Sequence, residues 1–283
     1  MLEQFFLPVC LALMMLSLGL RLQIVDFRAL LRRPGVVLLG LIAQFTLMPM
    51  LAVLIATGLG LTGTVALGLL LVSLAPGGAT SNVITALCRG DTALSVSLTA
   101  LSSLLVPFTL PLIWDLFAPA FKQHSVAIDL PYMTVLVPLL IVTLLPLVVG
   151  MAVRAGFPTW VNARAGLFAR LMGGLFVLLV IAMALRHADV LLAMWPQTGA
   201  AVLLLSCAGI LGGALLGRLF AQSAAVCTTL AVEVGIQNAG TAMLVGGTLL
   251  AMPQLAMVAL CYGVLMNLPV AALYLWRRST VKS

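Results

Sequence analysis

Long apolar runs separated by short polar punctuation dominate the chain. Runs of about 20 apolar residues are long enough to cross the hydrocarbon core of a bilayer as helices. Nine are read: 4–20, 35–57, 63–88, 92–116, 132–153, 168–185, 197–217, 223–250 and 253–276. In lipid the backbone must bond to itself, so all nine are expected to be α-helical. They leave no stretch for a separate soluble domain, and the fold class is an all-α polytopic membrane protein. The first run is expected to be a retained helix instead of a signal peptide, because Glu3 precedes it and the basic residues follow it.

Composition agrees with that pattern. The 283 residues are 63% hydrophobic and 7% charged, with a mean hydropathy of +1.26, whereas a soluble domain carries roughly 25% charged residues. Charge then orients the helices. Threading nine spans puts twelve of the Lys and Arg residues in one set of loops and only Lys122 and Arg186 in the other. The basic set is expected to be cytoplasmic, with the N-terminus outside and the C-terminus inside. The net charge of +7 then faces anionic lipid and calls for no nucleic-acid partner. Cys10, Cys88, Cys207, Cys227 and Cys261 are scattered singly, and His124 and His187 sit near loops, so no thiolate or imidazole metal site is expected.

The informative residues are the polar ones inside apolar runs. Of seven acidic residues, Glu233 alone falls in a segment interior, in TTLAVEVGIQNAGTAMLVGG. An isolated carboxylate there costs about 2.5–3.5 kcal/mol even on the lenient insertion scale. No Lys or Arg lies in any segment interior, so its partner is a proton or a bound cation. Gln237 and Asn238 follow closely, between Gly235 and Gly240, and mark a helix that opens. A second interruption is written in APGGATSN, where Pro76 removes a backbone donor and Gly77 and Gly78 remove helical preference. Two interrupted segments running in opposite directions, in comparable positions of two halves, point to a transporter binding site.

Further oxygens belong to Gln44, Asn267, Ser95, Thr99 and Ser102. Ser95 and Thr99 are four residues apart and share a helical face. Any one hydroxyl alone is explained by a bond to the carbonyl one turn back. As a set, these residues offer only oxygen ligands, which suits a hard cation such as sodium. An anionic substrate would find its positive environment at the N-termini of the restarted half-helices.

The stretches APGGATSNVITALCRGDTALSVSLTALSSLLVPFTLP and VEVGIQNAGTA, with IAQFTLMP upstream, resemble the signatures of the bile acid:sodium symporter family over nearly the whole chain. The resemblance implies a core and a panel domain, and two discontinuous helices that cross near mid-membrane in an inverted repeat. The nine-helix form lacks the first helix of ten-helix bacterial homologues, which would explain the uneven halves. It implies a panel of about 1–57 and 132–185 and a core of about 63–116 and 197–276. Two transported sodium ions are implied. Ser81, Asn82, Ser95, Thr99 and Glu233 would form the first site, and Gln44, Glu233, Gln237 and the carbonyls of Val234 and Ile236 the second. Ala79, Thr80, Asn238 and Asn267 would meet the substrate. The family often reads CPGGTASN, and some homologues place a His before the Asn of segment 9, so Ala75, the swapped Ala79–Thr80 pair and Met266 are departures beside the substrate cavity.

The expected function is sodium-coupled import of a small organic anion, bile-acid-like or a carboxylate such as pantoate. The setting would be a bacterial inner membrane, with the lipid bilayer as surroundings and no obligate protein partner. A proton-coupled or uncoupled organic-anion permease of the same fold is the alternative. An intramembrane enzyme is not expected, since paired aspartates, a Ser–His pair and H-E-x-x-H are all missing from the spans.

Overall fold

The computed structural model describes residues 2–23, 25, 33–78, 80–124 and 130–280. These form eleven helices in chain order: α1 (Gln4–Gly19), α2 (Pro34–Gly58), α3 (Gly63–Ser73), α4 (Ser81–Leu87), α5 (Thr92–Phe121), α6 (Tyr132–Gly156), α7 (Pro158–Arg186), α8 (Ala188–Leu219), α9 (Ala224–Gly235), α10 (Ala239–Leu249) and α11 (Pro253–Ser279). No β-sheet occurs among the described residues; the one β-type contact is an isolated antiparallel bridge between Gly77 and Gln237.

Six helices, not nine, are long and apolar enough among the described residues to cross a membrane: α2, α5, α6, α7, α8 and α11. The difference has a physical origin. The runs 63–88 and 223–250 are each cut into pieces, by Pro76-Gly77-Gly78 and by Ile236-Gln237-Asn238. Helix α1 is itself among the shorter apolar helices. A second departure concerns α7, which begins at Pro158, a residue preorganised for a first helical turn. Arg164 and Arg170, counted with the loops on sequence, therefore ride on the helix.

Close helix packing rests on small residues. Gly209, Gly213 and Gly217 recur every four residues along α8 and lie against α9. A Cβ on Gly213 would stand 2.4 Å from the Leu230 carbonyl oxygen, a separation that only glycine permits. The same device joins α1 to α6, where a Cβ on Gly19 would meet the Leu147 carbonyl. Helix α2 packs on α3 and α8, and α11 packs on α3, α8 and α10. Helices α1, α6 and α7 contact one another.

Candidate ion and substrate site

The two interruptions meet each other. Gly78 N–H donates to the Ile236 carbonyl at 3.0 Å, and Asn238 N–H donates to the Pro76 carbonyl at 2.8 Å. Each break thus supplies the partners that the other lacks, which is how non-helical backbone is tolerated in an apolar interior. The opened chain then restarts. The Asn238 side chain caps α10, its Oδ1 accepting from Thr241 N–H at 3.2 Å. At the start of α4, by contrast, Thr80 makes no side-chain cap bond. The Gly235 carbonyl, freed by the second break, accepts from Ser206 Oγ at 2.9 Å and Tyr262 Oη at 3.0 Å.

Five residues singled out on sequence converge beside this crossing. Glu233 is 1% exposed. Its Oε1 accepts from Ser81 Oγ and Ser95 Oγ, both at 2.5 Å, and its Oε2 accepts from Thr99 Oγ1 at 2.8 Å. Ser95 Oγ also lies 3.0 Å from Asn82 Oδ1 and 3.2 Å from Thr85 Oγ1. A hydroxyl has one proton, so only one of those three contacts can be its donated bond. Ser81 Oγ and Thr99 Oγ1 are 3.3 Å apart and compete in the same way. The cluster holds more lone pairs than protons, a composition that suits a small cation. Gly77 completes it, because a Cβ there would stand 2.7 Å from Glu233 Oε2.

A second cluster adjoins the first. Helix α2 widens into a π-helical turn over Ala43–Leu47, a geometry frequent at functional sites, and buries Gln44 there. Gln44 Nε2 donates to Gln237 Oε1 at 3.0 Å and to the Ala75 carbonyl at 3.3 Å, while Gln237 Nε2 donates to the Val234 carbonyl at 2.9 Å. The Ile236 carbonyl is held by Gly78. The structure therefore brings Gln44, Gln237, Val234 and Ile236 together, while the hydrogen bonds of Glu233 fall in the first cluster.

The residues expected to meet a substrate divide. Thr80, Asn238 and Asn267 line one cavity of about 260 Å³, with Phe176, Val177 and Met266 on its walls. Asn238 Nδ2 is buried without a hydrogen-bond partner among the described residues, so a donor is left over at this wall. The Asn267 amide is instead turned back on its own helix, donating to the carbonyls of Gly263 and Val264 at 2.9 and 3.0 Å. Ala79 lies outside the described residues. Thr85, Ser206 and Tyr262 were missed on sequence. A lone hydroxyl in an apolar helix carries no sign of whether it bonds its own turn or a neighbour; the break gives Ser206 and Tyr262 the Gly235 carbonyl, and helix packing gives Thr85 the Ser95 hydroxyl.

The fold and this centre define a class: an integral, multi-pass, all-α membrane protein with an oxygen-lined interior and interrupted helices. Residues 8–195 match the model of the sodium bile acid symporter family, and the chain belongs to that family, one of transporters and not of enzymes. It is 34% identical over 235 residues to an uncharacterized sodium-dependent transporter, YocS, of Bacillus subtilis, covering 83% of this chain and 71% of that protein. It is 30% identical over 279 residues to a probable sodium/metabolite cotransporter, BASS1, of Arabidopsis thaliana chloroplasts, covering 97% of this chain and 67% of the relative. With the rat hepatic sodium/bile acid cotransporter it shares 29% identity over 239 residues, 82% of this chain and 64% of that one.

Proposed function

We propose that this chain is a sodium-coupled symporter that imports a small organic anion by alternating access. The observation that carries the reading is Glu233, a fully buried carboxylate ringed by three hydroxyls, with no Lys or Arg in ion-pair distance among the described residues. A buried charge needs a partner, and a set of neutral oxygens around one carboxylate offers that place to a hard cation. Ser81, Asn82, Ser95, Thr99 and Glu233 would hold one ion. Gln44, Gln237, Glu233 and the carbonyls of Val234 and Ile236 would hold a second. Two ions would balance Glu233 and one substrate anion.

The sodium dependence in the relatives' names supports the coupling ion, and the bile acid cotransporter supports the substrate class. The substrate would lie against Thr80, Ala79, Asn238 and Asn267, with the spare Asn238 donor aimed at it. Helices α3–α4 and α9–α10 would be the two discontinuous spans of an inverted repeat crossing near mid-membrane, bringing the spans to nine. Helices α1, α6 and α7 would rock as a panel against the remainder. Helix α2, within the range first assigned to the panel, packs on α3 and α8 and would move with the core. The basic loops would face the cytoplasm, as in a bacterial inner membrane.

Thermal melting in sodium against choline at equal ionic strength tests the proposal. Sodium at a hundredfold excess over its dissociation constant should stabilise the protein by about 2.7 kcal/mol, raising Tm by several degrees. Glu233→Ala should abolish both the shift and sodium-dependent uptake while still inserting. Identical melting of the unaltered protein in the two salts would refute sodium coupling.

A further inference from the structure

On α7, Gly166, Arg170 and Gly173 recur at intervals of four and three, which places them on one helical face. That face forms one wall of a second cavity, of about 440 Å³. Helix α1 forms the opposite wall, with Arg21 just beyond its end, and Thr80 and Asn82 close it toward the crossing. Thr80 also lines the 260 Å³ cavity of Asn238, so the two spaces meet at this residue. A Cβ at Gly166 or Gly173 would meet nothing within 4 Å. These glycines are not packing another helix; they keep the space open.

The charge of this wall is one-sided. Arg21 and Arg170 line it, and no carboxylate does so among the described residues. Both arginines are exposed, and neither forms an ion pair among the described residues. Arg170 spends one donor, Nε, on the Gly166 carbonyl at 3.3 Å, leaving the rest of a five-donor fork available. Seven residues of helix, about 10 Å, separate Arg170 from Val177 on the wall of the Asn238 cavity. That spacing is close to the screening length of about 8 Å in physiological salt, and low-dielectric walls focus the field of such a pair.

We propose that Arg21 and Arg170 form a holding station for organic monoanions, carboxylates or sulfonates with an apolar body, beside Thr80 in the crevice between α1 and α7, on the side from which an imported anion would leave. The inference rests on the symporter reading for its physiological use, and its test does not. Thr80→Cys would be made in a Cys207→Ala background, in uncharged detergent where no lipid phosphate competes. The measurement is the ratio of its modification rates by a sulfonate-bearing and a trimethylammonium-bearing thiosulfonate reagent.

The sulfonate reagent is expected to be favoured. Arg21→Gln with Arg170→Gln should lower the ratio about tenfold, and the corresponding double Lys variant should keep it. Raising choline chloride should lower the ratio in the chain with both arginines intact, a reading that needs no arginine variant to fold. A ratio that stays within about twofold under both neutralisation and salt would overturn the proposal. The sodium-dependent melting shift, measured on the same samples, reports separately on the ion clusters, so its absence would count against the symporter reading alone.

Discussion

Helices α9 and α7 are both apolar, yet they occupy opposite environments. Every residue of α9 from Val226 to Gly235 is buried, whereas only 11% of the most apolar window of α7 is buried, against 56% in α11. Helix α9 is gripped by the glycine face of α8 and by the crossing; α7 shows Leu171, Leu175, Leu178, Ile181 and Leu185 outward. Apolar composition therefore says that both belong in lipid and nothing about which is held. A ligand set accurate to fractions of an ångström belongs on the gripped helix. An element such as α7, proposed to shift past its neighbours, belongs where few contacts are broken by moving it.

One methyl group at three glycines would break or sharpen this contrast. The largest effect is expected at Gly213→Ala, where the added carbon meets main chain that cannot step aside. A loss of about 3 kcal/mol, read as a lower Tm in detergent, is expected despite the gain of up to about 1 kcal/mol in helix propensity. Near-equal stability there would mean that α8 and α9 are not locked together. Next comes Gly77→Ala, whose Cβ would press on Glu233 Oε2. The side chain can swing away, so the fold should survive at a cost of about 1–2 kcal/mol, while the sodium-dependent melting shift is lost. Retention of that shift would detach Gly77 from the proposed ion site. The smallest effect belongs to Gly173→Ala on α7, expected within about 0.5 kcal/mol of the parent. A loss as large as that at Gly213 would erase the distinction between the two helices.

How much of this was legible in the sequence depended on whether the signal was a cost or a partnership. Glu233 stood out because an unpaired carboxylate in an apolar run is expensive whatever surrounds it, and Pro76-Gly77-Gly78 because it cannot continue a helix. Ser81, Asn82, Ser95 and Thr99 became specific only through the family resemblance, and the structure then joins the three hydroxyls to Glu233 and Asn82 to Ser95. The pairing of the two breaks was not written in side chains at all, since Gly78 bonds Ile236 and Asn238 bonds Pro76 through main chain. Nor could the charge sum place Arg170 on a cavity wall, because a cation near the end of an apolar run reads the same whether a loop or a helix carries it. Asn267 lines the cavity expected of it, but its amide is turned here onto its own helix's carbonyls, an orientation that composition and spacing do not carry.

The reciprocal main-chain bonds of the crossing also set an order in time. About 160 residues separate Gly78 from Asn238, and ribosomes add roughly 5–20 residues each second. For something like 10–30 s at that rate, the first break has left the ribosome while its partner is still unwritten. Each of its unsatisfied backbone groups would cost several kcal/mol in hydrocarbon. Placed in hydrocarbon, the nascent α3–α4 pair would lack these partners until Ile236 and Asn238 have been made. Closure of the crossing is therefore expected to be a late event in the making of this protein.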